Sequence, residues 1–385
     1  MVWTSRQRVV AAIEHREADR VPIDFNPVPD FYLKLKEYLG LEIDEQLKVG
    51  FMEEAIPHPK VLDALGADMI SVKLGSVKTS PPAPAGADTV IDSWGVGLKR
   101  VFQAGGGSYL EPVHHPLAGA TIDDLEKYPW PDPCAPGRGE GVYATARRLF
   151  EDTELALVGR FGGPIVQTAI YMMGFQRWLE CSAYEVEFAG ILLDKITDIS
   201  IAADRVGLEA TAKYLQIFKV SGDDFGMQTG PLYSPLTFGE LILPRLRRRW
   251  RAARDYLDEI NPAVQLMFHS CGGIRPYIDD LIDIGMQILD PVQPLAAGMD
   301  SIELKEEFGD RITFHGGVDE QHVLPFGTSE DVEAEVRRRL VAFGPGGGYI
   351  LAPSHYVQAD TSPANIVAMC RAAREFGRYP IQTPP

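Results

Sequence analysis

The stretch Ala263 to Gly273 (AVQLMFHSCGG) closes an apolar run with His269, Ser270 and Cys271 and then two glycines. Such a run suits a strand buried in a parallel sheet. Side chains alternate along a strand, so His269 and Cys271 face the same way. An imidazole beside a thiol is half of a tetrahedral zinc site, and the glycines let the backbone turn sharply away. A buried structural histidine with a cysteine nearby is the plainer interpretation of this stretch alone. An isolated HxC lacks the four-ligand spacing of a zinc motif.

Polar residues recur where other apolar runs end, which shifts the balance toward a metal site. In chain order these are Asp24, the Gly162-Gly163 pair after Phe161, Asp223-Asp224, Asp290, His315 and His355. His355 follows GYILAPS and is the candidate third zinc ligand, three protein donors plus an open position being the catalytic arrangement. The alternative for His355 is a hydrogen bond to substrate. His315 precedes Gly316-Gly317 and suits a substrate contact or a group that supports the ligands, ranking below His355 as a ligand itself. Asp223 or Asp224 could orient a metal-bound histidine, act as general base or complete the ligand set. Adjacent strand residues face opposite ways, so one of the two is expected to face the site. Gly162, Gly163 and Gly272 allow a flat ligand close to the backbone, although tight turns demand glycine equally. Cys134, Cys181 and Cys370 have no partner motif and are expected in packing.

The elements that position these residues alternate. Strands are expected at 20–25, 67–74, 155–161, 214–220, 263–269, 286–292, 312–318 and 348–354. Helices are expected at 141–151, 184–203, 276–284, 301–308, 329–343 and 363–376, with a further one over 238–257 that Pro244 should kink or divide. Eight short strands alternating with helices predict an α/β fold of the (β/α)8 (TIM barrel) kind, whose active sites lie at the C-terminal strand ends. No strand leads into a GxGxxG turn, which argues against a doubly wound nucleotide fold. Residues 79–120 break the rhythm with a Pro/Ala/Gly-rich tract, two hairpin strands at 89–96 and 98–102, and a triple glycine. They are expected to form an insertion over the mouth of a single domain spanning 1–385, with His114 and His115 on its surface.

Composition narrows the function classes. A net charge of -17 over 385 residues argues against nucleic acid or anionic lipid as partner. The Arg245–Arg254 run is expected to be a solvated helix face or a contact with an acidic partner. Four scattered cysteines fit a reducing cytoplasm. The N-terminus reads as an amphipathic helix, and no uncharged apolar stretch reaches the roughly 18–20 residues that span a bilayer.

The chain resembles the uroporphyrinogen decarboxylase superfamily, which also contains zinc- and cobalamin-dependent methyltransferases. The resemblance is carried by SGDDFGMQTGPLYSP, HSCGGIRPYIDDLIDIGMQILDPVQ, ITFHGGVDEQHVLPFGT and GGGYILAPSHYVQADTSPANI. It implies a (β/α)8 fold. True decarboxylases carry an arginine-bearing RQAGRY-like segment near the N-terminus. Here the corresponding residues are Phe25-Asn26-Pro27-Val28-Pro29-Asp30-Phe31-Tyr32, with no arginine. The methyltransferase branch is similar at HxC, where its His and Cys ligate zinc. Its third ligand is usually a cysteine near the end of the last strand, where this chain has His355. The resemblance therefore implies a zinc-dependent methyltransferase. It would move a methyl group between a methylated substrate, such as a methyl ether, or a thiol acceptor and the cobalamin of a separate corrinoid protein. A possible homodimer belongs to the same expectation. The alternatives are a metal-free decarboxylase using Asp24, Asp223 and His355, and a non-catalytic tetrapyrrole- or corrinoid-binding protein.

Overall fold

The computed structural model describes residues 3–44, 54–75, 89–102 and 107–382. Seven strands form one parallel sheet in sequential order: β1 Met69–Lys73, β2 Ala156–Arg160, β3 Ile217–Gly222, β4 Gln265–His269, β5 Ile288–Val292, β6 Thr313–Val318 and β7 Tyr349–Pro353. Every residue of β5, β6 and β7 is buried, as expected of strands covered on both faces. The sheet curls, and its concave side is filled by Met69, Ala156, Val158, Ile217, Met267, Ile288 and Ile350. These pack with Val9, Ala12 and Ile13 of the N-terminal helix Ser5–Ile13. Met69, Ile217 and Ile288 lie at or near strand starts, so this helix plugs the N-terminal end. The C-terminal strand ends stay open for function.

Residues 20–25 do not form the regular strand expected of them. Ile23 makes an isolated parallel bridge to Leu351, the Asp24 N–H donates to the Leu351 carbonyl at 2.9 Å, and the Asp68 N–H donates to the Ile23 carbonyl at 2.7 Å. The segment therefore lies between the first and last strands. Pro22 has no N–H, and the Ile23 N–H goes to the Asp68 carboxylate at 2.8 Å, so too few donors remain for a ladder.

Helices follow the strands over Leu243–Ile260, Ile278–Asp283, Ser301–Phe308, Ser329–Phe343 and Pro363–Phe376. Between β2 and β3 lie three helices, Val166–Met173, Phe175–Tyr184 and Val186–Thr211, where one was expected. Gly174, at φ 85°, separates the first two inside a nearly continuous apolar stretch that hides the boundary. Pro244 does divide its helix: a π turn over Phe238–Ile242 precedes the α-helix, and Pro244 sits in the first turn, where no N–H is needed. Arg247, Arg248 and Arg251 of that helix are exposed, as a solvated face requires, while Arg245 pairs with Asp194 and Arg248 with Asp198 of the same chain.

The inserted segment holds a three-stranded antiparallel sheet, Thr89–Ile91, Gly97–Phe102 and Ser108–His114, one strand more than expected. Residues 79–88 and 103–106 of it lie outside the described residues. His114 is exposed, while His115 Nδ1 donates to the Tyr171 carbonyl at 2.7 Å. Cys181 and Cys370 are buried as expected, but Cys134 is exposed in a turn and packs nothing. No described helix is long and apolar enough to cross a membrane.

Candidate metal centre

β4 ends at His269, Cys271 follows two residues later, and His355 lies two residues beyond β7. Their ligand atoms, two imidazole nitrogens and one thiol sulfur, all lie within 4.8 Å of one another. His269 Nε2 and Cys271 Sγ are 3.5 Å apart. A tetrahedral ion with bonds of about 2.0–2.3 Å holds such a nitrogen and sulfur roughly 3.5 Å apart. Strand alternation aligns the first two donors. The curl of the sheet brings the third from the far end of the chain.

The other face of His269 is engaged by Asp290. His269 Nδ1–H donates to Asp290 Oδ2 at 2.9 Å, which leaves Nε2 with a free lone pair toward Cys271 and His355. Asp290 is a hub. Its Oδ2 also accepts from Lys219 Nζ at 2.5 Å, and its Oδ1 accepts from His315 Nδ1 at 2.7 Å. Burial opposes the Asp290 charge, but Lys219, His315 and His269 outweigh it and hold the carboxyl well below the usual range.

His315 donates from its second nitrogen, Nε2, to Asp24 Oδ2 at 3.0 Å. An imidazole that faces a carboxylate at each nitrogen carries both protons. Burial disfavours that cation, yet Asp290 and Asp24 push its pKa up to about 9. A raised folded value stabilises the fold fully below the unfolded histidine value near 6.5, and that stability is lost as pH rises through about 9. In metal-free protein we expect His315 to contribute on the order of 3 kcal/mol at pH 6. The stability difference between wild type and His315→Asn in urea titrations should then shrink between pH 6.5 and 9.5. A difference that stays constant over that interval would contradict the assignment.

Cys271 behaves oppositely. Burial, then Asp224, then Asp290 push its thiol well above the ordinary cysteine value, so without a cation it stays protonated at neutral pH. His355 is held neutral, its pKa lowered by burial and then by His269. Asp224 Oδ1 accepts the Cys271 N–H at 2.9 Å and lies 3.7 Å from His269 Nε2, with its side chain about half exposed. Asp223 turns away: it is fully buried and accepts the N–H groups of Ile165, Val166 and Gln167 at 3.1, 2.6 and 2.9 Å, holding a helix N-terminus. Of the aspartate pair, only Asp224 faces the cluster.

Gly162 and Gly272 are required by the protein's own packing, and Gly163 by its φ of 71°. A Cβ on Gly162 would meet the Arg249 guanidinium and the Ser200 carbonyl at 2.5 Å. Gly272, at φ 81°, passes so close to Gly226 that a Cβ would lie 2.3 Å from its carbonyl carbon. Gly163 offers its carbonyl to Arg249 at 2.5 Å.

His269 and His355 of the cluster line an open cleft of about 530 Å³, solvent mouth included. Its lining adds residues that sequence reasoning passed over, chiefly Lys219, Arg160 and Tyr356. Lys219 and Arg160 sit at strand positions that alternation alone does not separate from outward-facing ones. Tyr356, next to His355, was the one with a signal available.

A parallel curled sheet with polar residues gathered at the C-terminal strand ends defines an α/β enzyme-like scaffold with a candidate His/Cys/His metal centre. The sequence profile of uroporphyrinogen decarboxylase (URO-D) matches residues 83–376, and the chain belongs to that family. The chain is 27% identical over 309 residues to the uroporphyrinogen decarboxylase of Magnetococcus marinus, covering 76% of this chain and 77% of that protein. It is 25% identical over 303 residues to that of Pseudoalteromonas translucida, covering 75% and 76%. Among solved structures, a methyltransferase from Methanosarcina mazei superposes with a TM-score of 0.62 at 19% identity, over 97% of this chain and 99% of that one. At that identity the likeness is one of fold.

Proposed function

We propose that the protein is a zinc-dependent methyltransferase of the URO-D family, built as a (β/α)8 barrel closed through residues 20–25. It moves a methyl group between a small methylated donor, such as a methyl ether, or a thiol acceptor and the cobalamin of a separate corrinoid protein. The observation that carries this reading is the convergence of His269 Nε2, Cys271 Sγ and a His355 nitrogen within 4.8 Å. The donor set fits zinc: two neutral imidazoles and a thiol that only a nearby cation would ionise. A zinc ion held there supplies Lewis acidity, lowering the pKa of a bound thiol or polarising an ether oxygen.

The chain's own residues do the positioning. Asp290 fixes the His269 tautomer, Lys219 and His315 keep Asp290 ionised, and Asp24 holds His315 in place. Asp224 anchors the Cys271 backbone and is the exposed carboxylate nearest the open side, placed to accept a proton from an incoming thiol. The inserted segment is a candidate lid or contact for the corrinoid partner, and the cytoplasm is the proposed compartment.

The test pairs metal analysis with turnover. Purified protein should carry about one zinc per chain. Chelation should abolish methyl transfer, followed by the cobalamin spectrum with a corrinoid protein, and zinc should restore it. Unchanged methyl transfer after complete loss of zinc would sink the proposal. A metal-free decarboxylase is the second reading, favoured by the names of the relatives at 25–27% identity. Turnover of uroporphyrinogen by chelated protein would replace the first reading with it.

A further inference from the structure

Three cations stand in one row across the sheet. Lys73 pairs in register with Arg160 between β1 and β2, and Arg160 pairs with Lys219 between β2 and β3. Adjacent strands are about 4.8 Å apart, and like charges directly opposite one another destabilise a sheet. The three side chains are only 18%, 17% and 10% exposed, so water screens them little. In a chain of net charge -17 such crowding runs against the composition.

Among the described residues, Glu54 meets Lys73 and Arg160, and Asp290 meets Lys219 while also serving His269 and His315. Each carboxylate is therefore shared, Glu54 between two basic side chains and Asp290 among Lys219 and two histidines. Burial first, and then Arg160 and Lys219, hold the Lys73 ammonium well below the lysine range. Lys73 lies behind, whereas Arg160 and Lys219 line the cleft, as does Tyr356, whose hydroxyl meets Arg160. Ile70, Val158 and Met267 supply apolar wall to the same cleft.

We propose that Arg160, Lys219 and the Tyr356 hydroxyl form an anion subsite that takes the carboxylate of a small, otherwise apolar substrate. A ligand carboxylate would add negative charge beside two cations whose own carboxylates are shared with other groups. The guanidinium is suited to a planar carboxylate, and the apolar wall suits a ring or chain beyond it. Placing the reacting end of that substrate at His269, Cys271 and His355 rests on the methyl-transfer reading, while the subsite itself uses no metal ligand.

The test is calorimetric titration of the full-length protein, zinc-loaded and metal-stripped, with benzoate and with its uncharged analogue benzamide. Benzoate should bind at least tenfold more tightly than benzamide. Arg160→Gln and Lys219→Met should each weaken benzoate about 10- to 100-fold and leave benzamide unchanged. Arg160→Lys, which retains the charge, should recover part of the affinity, and the circular dichroism and zinc content of both Arg160 variants should match wild type. No preference for benzoate, including no binding of either probe, overturns the subsite. So does wild-type benzoate affinity in a folded Arg160→Gln protein. Benzoate preference in a protein that holds no zinc and transfers no methyl group supports the subsite and fails only the methyl-transfer reading.

Discussion

Cys271→Ala is expected to strip the metal and to slow methyl transfer by at least about a thousandfold, since a catalytic metal ion contributes several kcal/mol. The thiol is the soft donor of the set, and its replacement leaves two imidazoles that bind zinc far more weakly. The fold should survive, because Cys271 lies two residues past the end of β4, is only partly buried, and its side chain is not part of the strand core. Circular dichroism and zinc analysis of Cys271→Ala, His269→Ala and His355→Ala separate the roles. Zinc lost from all three identifies the ligands. Zinc lost from Cys271→Ala and His269→Ala but kept in His355→Ala points to Asp224 as the third ligand, since the Asp223 oxygens are occupied by three backbone N–H groups. A Cys271→Ala protein with full zinc and full activity is the result that would defeat the site.

Arg249→Met should cost about 3–5 kcal/mol of stability without touching the metal, because it leaves a buried carboxylate without its counter-charge. Arg249 is 1% exposed and clasps Asp204 through Nε at 2.6 Å and Nη2 at 3.0 Å. It also donates to the Gly163 carbonyl, while Asp204 accepts the Gly162 N–H at 2.7 Å. Even with Arg249 present, burial keeps the Asp204 pKa raised. Removing the guanidinium therefore strands a charge and frees the turn after β2. Urea denaturation measures the loss, and the double variant Arg249→Met with Asp204→Leu should regain much of it, since the stranded charge is then gone. A loss below about 1 kcal/mol in the single variant would mean that water reaches Asp204 and that the pair is not structural.

The arrangement joins rigidity at one end to reactivity at the other. The N-terminal helix fills the starts of the strands with Val9, Ala12 and Ile13. The C-terminal ends can then carry Asp24, Asp290, His315 and Lys219 in a buried network whose charges would be too costly unpaired. That network orients His269 and keeps the cleft polar in a mostly apolar scaffold.

Much of this was written locally. Apolar runs of five or six residues separated by helical periodicity mark all seven strands of the sheet. The alternation within HSC is enough to put His269 and Cys271 on one side, because both signals depend only on neighbours in the chain. His355 could be named from its place after the last apolar run. The segment 20–25 was misread as a regular strand because its composition is strand-like. Pro22 removes one ladder donor locally, but the Asp68 carboxylate that takes the Ile23 N–H acts across 45 residues of sequence. Only the tertiary structure decided which of Asp223 and Asp224 lies beside the metal cluster, that Gly162 and Gly272 serve packing, and that Asp290 binds three partners at once. The row of Lys73, Arg160 and Lys219 belongs with these, since it exists only in the register between residues 87 and 59 positions apart in the chain. Strand order and register arise from long-range pairing, and no local pattern in a single sequence carries that information.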